Sequence, residues 1–142
     1  MFKIANLKEF NAKLKERLDD GARKNVRRAV FRGANLVRTE AVESIKSGNK
    51  SGRVYRRGSV THVASAPGQA PAADTGFLDS QITTEVKVQD NKVIGQIIAS
   101  APYAKHLEFG TSNILPRPFM QPALQKNKKK IVEIFKREGV VK

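Results

Sequence analysis

Between Ala101 and Ala123, four prolines, one glycine and three aromatics are packed into a chain that is otherwise lysine-rich and helical. No other stretch restricts the backbone so tightly. Pro102 suits the first turn of a short helix, with Ser100 as its cap, because proline there gives up an N–H that had no partner anyway. Gly110 marks where that helix stops, since glycine takes the left-handed conformation at little cost. Pro116 and Pro118 hold the next residues extended, and a last helix starts near Phe119. The order is helix, sharp stop, rigid extended run, helix. Backbone this constrained places something, either a ligand or another part of an assembly.

The apolar pattern sets the remaining elements. Leu7, Phe10, Leu14 and Leu18 recur at three- and four-residue spacing and predict a helix over residues 6–20. Asp19-Asp20-Gly21 offers a break. Val26, Val30, Gly33, Ala34, Val37, Ala41 and Ile45 then share one face of a longer helix reaching residue 47. Gly33 and Ala34 are small, so a helix or a sheet can come close there. Arg28 and Arg32 lie opposite the stripe and Lys24, Arg27 and Arg38 flank it, which makes the outer surface basic. Phe31 and Leu36 fall outside the stripe and are candidates for a subunit contact. After the loop chemistry of Ser47 to Gly52, the residues Val54, Tyr55, Val60, Thr61 and Val63 suggest β-structure around Gly58-Ser59. Arg53, Arg56 and Arg57 cluster near Tyr55, a combination that suits phosphate contact with some stacking, and they are the candidate DNA-facing residues. Ser65 to Gly76 is Ala-, Pro- and Gly-rich without a period and reads as a loop or arm. Ile82–Val88 and Val93–Ala99 flank Gln89 to Lys92 and predict an antiparallel hairpin. In its first strand Ile82, Thr84, Val86 and Val88 share the buried face, and Thr83, Glu85 and Lys87 the wet one. The final helix, from about Pro118 to Arg137, turns Met120, Ala123, Leu124, Ile131, Ile134 and Phe135 inward and most of its lysines, Lys126 and Lys128 to Lys130, outward.

Composition narrows the function classes. At 142 residues the chain is one domain with a modest core, and aromatic content of 6% leaves that core to Val, Ile, Leu and Ala. The absence of cysteine removes disulfides, thiolate nucleophiles and Cys-based zinc sites together. Neither a signal-peptide core at Met1 to Asn6 nor an apolar run of membrane-spanning length is present, so no membrane partner is expected, and a soluble protein made in a cytoplasm is. The net charge is +14, divided as +10 over residues 1–58, −2 over 59–100 and +6 over 101–142. A polyanion is the first partner this suggests, although lysines also simply solvate surface helices. Catalytic chemistry finds little support. His62 and His106 lack metal-ligand spacing, and His106 and Glu108, two apart on a helix, point away from each other. Asp74 and Asp79 form a possible carboxylate pair, but Asp74-Thr75-Gly76 reads as turn and cap chemistry and lacks the hydrophobic strand that precedes an aspartic-protease motif. No catalytic residue, cofactor or metal site is expected.

Two segments resemble a phage family. Ser65-Ala-Pro-Gly-Gln-Ala-Pro-Ala-Ala-Asp-Thr-Gly-Phe-Leu78 resembles a segment of neck proteins from long-tailed bacteriophages. Tyr103-Ala-x-x-Leu-Glu-Phe-Gly-Thr-Ser112, followed by Pro116-x-Pro-Phe-Met-x-Pro-Ala-Leu124, resembles that family's most recognisable signature. These are tail-completion or head–tail joining proteins, related to the lambda-type minor tail protein Z. The resemblance spans residues 25–138 and leaves out the first helix and the Arg53–Arg57 cluster. It implies a single α+β domain over residues 1–142. In it the long N-terminal helix and the C-terminal helix pack on a small antiparallel sheet, with residues 48–76 a long loop or arm. It further implies a homo-oligomeric ring, a hexamer, at the head–tail junction of the virion. That ring is assembled in the host cytoplasm, contacts other neck, connector and tail proteins, and passes phage DNA with transient, non-specific contact. Tail-terminator and head-closure proteins are near alternatives, and a free-standing basic nucleic-acid-binding protein is the rival argued from charge. Carried over residue by residue, Tyr103, Leu107, Phe109 and Phe119 anchor the short helix and the turn against the sheet, with Pro116, Pro118 and Pro122 shaping the turn. Glu108, Gly110 and Thr111 form an exposed corner facing a neighbouring subunit. Ser65, Pro67, Gly68, Pro71, Asp74 and Thr75 belong to an arm that reaches a neighbour and orders only on assembly.

Overall fold

A computed structural model of the chain describes residues 2–4, 20–47, 50–90 and 92–141, with residues 2–4 and 20–22 described by backbone alone. The helix expected over residues 6–20 lies outside them except for Asp20. The described elements run β1 (Phe2–Ile4), α1 (Asp20–Lys46), β2 (Val54–Arg57), β3 (Val60–Val63), α2 (Phe77–Ser80), β4 (Ile82–Gln89), β5 (Lys92–Ala99), α3 (Ala104–Phe109) and α4 (Met120–Arg137). The fold is α+β. β1, β5 and β4 form an antiparallel sheet in that order, and β2 and β3 form a separate two-stranded one. The apolar pattern does not predict a strand at Phe2–Ile4. Three residues are too few for an alternation to register, and β1 exists by pairing Phe2, Lys3 and Ile4 with Ala99, Ile98 and Ile97 of β5.

α1 is the shared element, packed against β4, β5 and α4. Every residue of its expected stripe is buried, from Val26 through Gly33 and Ala34 to Ile45, and burying each Val or Ile side chain contributes about 1.5–3 kcal/mol. The two small residues serve two neighbours. A Cβ built on Gly33 would lie 3.4 Å from Ile131 of α4, while one on Gly95 of β5 would lie 2.8 Å from Val30 and 3.3 Å from Ala34. α1 therefore rides on glycine at one contact and offers glycine at the other. The two helices run antiparallel, with Arg28 and Arg32 of α1 both paired to Glu138 just past α4, and Glu40 paired to Lys126 near its start. α4 ends in a Schellman motif: Val140 N–H donates to Phe135 O at 2.9 Å and Gly139, at φ 72°, to Lys136 O at 3.1 Å.

The main hairpin has the expected register, Ile82 opposite Ala99 through Gln89 opposite Lys92, and Asp90 at φ 50° has the positive φ a two-residue turn demands. Its inner face leaves the core gradually: Ile82 is buried, Thr84 and Val86 half-buried, and Val88 exposed.

Residues 50–76 contain regular structure and a run of intrachain contacts. β2 and β3 pair Val54 with Val63 through Arg57 with Val60 around Gly58-Ser59, where Gly58 has φ 60°. Beyond β3 the chain forms a strap laid along its own surface. Ala73 N–H donates to Ile45 O at 3.1 Å and Gly68 N–H to Pro116 O at 2.9 Å. Gln69 accepts from Ser51 N–H and Ala66 N–H through its Oε1, and Lys50 Nζ donates to Ser44 O at 2.7 Å and to Ala70 O at 2.9 Å. Burial lowers the Lys50 pKa below its ordinary 10.5. Residues 65–75, expected as an arm reaching a neighbour, thus make contacts within their own chain, through the polar chemistry of Lys50, Ser51 and Gln69.

Candidate assembly surface

The corner at residues 101–123 is present, with several of its residues in other places than expected. α3 starts at Ala104, and Pro102 stands in the turn before it, closed by Ala104 N–H donating to Ala101 O at 3.0 Å. Ser100 does not cap it; Tyr103 is the N-cap residue and no side chain bonds there. Gly110 ends the helix at φ 74° and ψ 178°. That positive-φ, extended-ψ region is essentially glycine-only and differs from the left-handed helical one expected. The reason lies in the loop it opens. Gly110 N–H still donates to His106 O at 2.8 Å, while Thr111 N–H turns to Ile114 O at 2.8 Å and Thr111 Oγ1 accepts from Asn113 and Ile114 N–H. A Cβ on Gly110 would lie 2.7 Å from Ile114 O and 2.9 Å from Pro116 Cδ.

Glu108 is not an exposed corner residue; it is 4% exposed. Its Oε2 accepts from Phe119 N–H at 2.8 Å and Met120 N–H at 3.0 Å, and its Oε1 from Gln121 N–H at 2.8 Å. Those are the first three of the four backbone N–H groups that an α-helix leaves without an internal partner, and the fourth position is Pro122, which has none. One carboxylate and one proline complete the N-terminus of α4, and a negative charge there also matches the helix dipole. α3 has only one inward side, taken by Ala104 and Glu108, so its aromatics are turned out: Tyr103 is 43% and Phe109 59% exposed. Neither is buried in the core. Phe119, 1% exposed, and the half-buried Leu107 do pack on the core. Arg117 N–H donates to Leu107 O, tying the extended run to α3, with Pro116 exposed and Pro118 half-buried.

An open depression of about 300 Å³ lies beside this corner, lined by the strap, by His62, Tyr103, Leu107 and Arg117, and by Phe77 and Asp79 of α2. Phe77 and Tyr103 form a tilted pair at its rim, with ring centroids 6.3 Å apart. Asp79 is buried, with Oδ2 3.2 Å from Lys46 Nζ and Oδ1 without a hydrogen-bond partner. Asp74 instead sits 3.0 Å from Arg57 of the second hairpin, so Asp74 and Asp79 are each matched to a different cation rather than to one another. Thr75 Oγ1 and Gly76, at φ 78°, make the turn into α2. Among the described residues no group of three or more His, Cys, Asp or Glu side chains could hold a metal ion, and no helix is long and apolar enough to cross a membrane.

The other candidates divide by exposure. Ser65 and Pro71 are buried within the chain, whereas Pro67, Gly68, Asp74, Thr75 and Thr111 are open. Phe31 is exposed, and Leu36 is half-buried against the core. The β2–β3 ribbon is exposed apart from the half-buried His62, and Val54, Val60 and Val63 stand on it with Arg53, Arg56 and Arg57. Arg53 lies 5.5 Å over the Tyr55 ring. Ile114 and Leu115, the latter 65% exposed, are surface candidates that the sequence pattern did not single out. Their signal was an aliphatic pair inside a turn. Glu108 was missed as a cap; its signal was a helix start at Arg117-Pro118-Phe119 without a Ser, Thr, Asp or Asn of its own.

Residues 8–110 match the protein family described as "Bacteriophage HK97-gp10, putative tail-component". The chain belongs to this family. As an HK97-gp10-like protein it is a structural tail component of a phage virion, whose partners are other phage tail proteins. The match takes in residues 8–19 and the Arg53–Arg57 cluster, both outside the resemblance drawn from the sequence, and stops at Gly110, before the Pro-Phe turn and α4. No curated protein and no solved structure gives a significant match.

Proposed function

We propose that this HK97-gp10-like chain forms a homo-oligomeric ring at the head–tail junction, completing the tail or joining it to the capsid connector, with DNA passing through the ring. The observation that supports this is the set of large apolar side chains exposed on the described residues, among them Val54, Val60 and Val63 on the ribbon, Phe77 and Tyr103 at the depression, and Phe109, Ile114 and Leu115 around the α3 corner. Patches of this kind on a structural protein are interfaces awaiting partners. A largely exposed two-stranded ribbon is also marginal alone, and a neighbouring copy would cover it. Closed rings arise when one surface meets a different surface of the next copy, which several separate patches permit. The +14 charge favours a second reading, a free-standing nucleic-acid-binding protein.

Electron microscopy of phage particles carrying labelled protein, with light scattering of the purified chain, tests the reading. Label confined to the neck, and a cyclic oligomer on the tail end, are expected. Label elsewhere in the particle, or a chain that stays monomeric in the presence of tails, would refute it. Tight, salt-resistant DNA binding by a monomer would favour the rival.

A further inference from the structure

We infer that the outward face of the first half of α1, centred on Lys24, Arg27, Arg28 and Arg32, is the surface this protein turns toward duplex DNA; the inference builds on the ring reading but names a surface that reading leaves open. These four residues fall at i, i+3, i+4 and i+8, so they share one side of the helix, and all four are exposed. After Asp20 at its first position, α1 carries no carboxylate until Glu40. Among the described residues the stripe meets a single acidic partner, Glu138, shared by Arg28 and Arg32. Two cations on one carboxylate leave a surplus, and Lys24 and Arg27 add to it.

The competing basic regions are weaker candidates. On α4, Lys126, Lys129 and Lys130 also fall at i, i+3 and i+4, but Lys126 is paired to Glu40 and Glu133 stands on the same side, which leaves less surplus charge there. On the ribbon, Arg53 is occupied over Tyr55 and Arg57 by Asp74.

A protein partner also fits the stripe poorly. Phe31 lies inside it, so any apolar neighbour covering Phe31 would bury several cations without compensation. Among the described side chains a second copy has no matching acidic face. Glu40, Asp74, Asp79, Glu85 and Glu138 are each spent in an ion pair and Glu108 on a helix end. Glu43, Asp90 and Glu133 stand on three different elements, α1, the hairpin turn and α4. A regularly spaced row of phosphates supplies what the stripe lacks, and binding of this kind ignores sequence, as a conduit requires.

Fluorescence anisotropy of a short duplex across a salt series tests this on the full chain. Lys24→Gln with Arg27→Gln removes two cations and spares the Glu138 pairs. It is expected to weaken binding equally for unrelated sequences and to flatten the salt slope by about 0.9 for each phosphate no longer neutralised. Arg53→Gln with Arg56→Gln, and Lys129→Gln with Lys130→Gln, are expected to change the slope little. Loss of binding in the ribbon pair but not in the α1 pair would overturn the inference, as would failure of the wild-type protein to bind duplex at low salt. Tail incorporation of the α1 pair is scored separately. Normal incorporation supports the inference; failure to incorporate with unchanged DNA binding would make the stripe a protein contact and overturn it. A wild-type chain that binds duplex through the stripe but forms no ring would defeat the ring reading alone.

Discussion

Replacing Glu108 by alanine removes the acceptor for three backbone donors at once, and the structure lets the effect be sized. An ordinary N-cap deletion costs about 0.5–2 kcal/mol because water takes over the freed N–H groups. Here Phe119 and Met120 are each 1% exposed, so two of the three donors are shielded from water, and each unsatisfied buried group costs about 1–3 kcal/mol. Together these give a loss of about 3–5 kcal/mol, a large share of the roughly 5–15 kcal/mol that stabilises a domain. At this chain length the thermal midpoint should fall by about 10–15 °C. Glu108→Gln separates capping from simple volume. Its single carbonyl oxygen can keep the Phe119 and Met120 bonds made by Oε2, while its amide opposes Gln121 N–H, so about half the loss is expected. Urea unfolding with an unchanged slope, together with calorimetry on dilute protein, measures both variants. An alanine variant within about 1 kcal/mol of wild type, or a glutamine variant as unstable as alanine, would refute the capping argument.

Gly110→Ala should be the more damaging change at the same corner: its Cβ would sit 2.7 Å from Ile114 O at φ 74°, and a loss of about 3 kcal/mol or more in the urea midpoint is expected. Gly95→Ala should push α1 off β5, because Val30 lies 2.8 Å from the added methyl, and cost about 1–3 kcal/mol by the same measurement. Leu115→Asp should leave the unfolding midpoint unchanged while abolishing the ring in light scattering, since the side chain is 65% exposed. Lys50 releases its proton earlier in the folded chain than in the unfolded one, because burial lowers its pKa from 10.5. Stability should therefore rise with pH between that lowered value and 10.5, an increment Lys50→Met lacks. Parallel pH curves for the two proteins would refute it.

The elements legible from residues alone are those whose burial follows a period. The α1 stripe from Val26 to Ile45 and the hairpin from Ile82 to Ala99 each declare an inward face by spacing, and the structure puts both there. β1 escaped because its only reason to be a strand is the edge of β5, a partner more than ninety residues away. The strap escaped for a related reason. Its Ala-Pro-Gly composition says only that it has no period, while its contacts come from Gln69 within the run and Lys50 and Ser51 outside it. The phage tail-component family was legible as a resemblance, while at the corner Phe109 is more exposed and Glu108 more buried than the sequence pattern suggested.

That arrangement follows from a competition between two ways of satisfying α3's one inward side. Burying Phe109 would gain roughly 1.5–3 kcal/mol of apolar transfer, but it would leave the first turn of α4 with three donors and no acceptor, a larger loss when two of them are dry. The carboxylate wins, and the aromatic is displaced outward. A helix capped from its own sequence could form before docking, whereas α4 reaches its full complement of hydrogen bonds only when α3 is in place. The corner is therefore locked to the core through Glu108, and Gly110, Thr111 and Pro116 fix the loop that carries Ile114 and Leu115. Rigid apolar groups lose little further freedom when a neighbour covers them, so more of their burial appears as binding energy. The same polar contact that makes α4 dependent on the corner would thus prepare the corner for the proposed assembly.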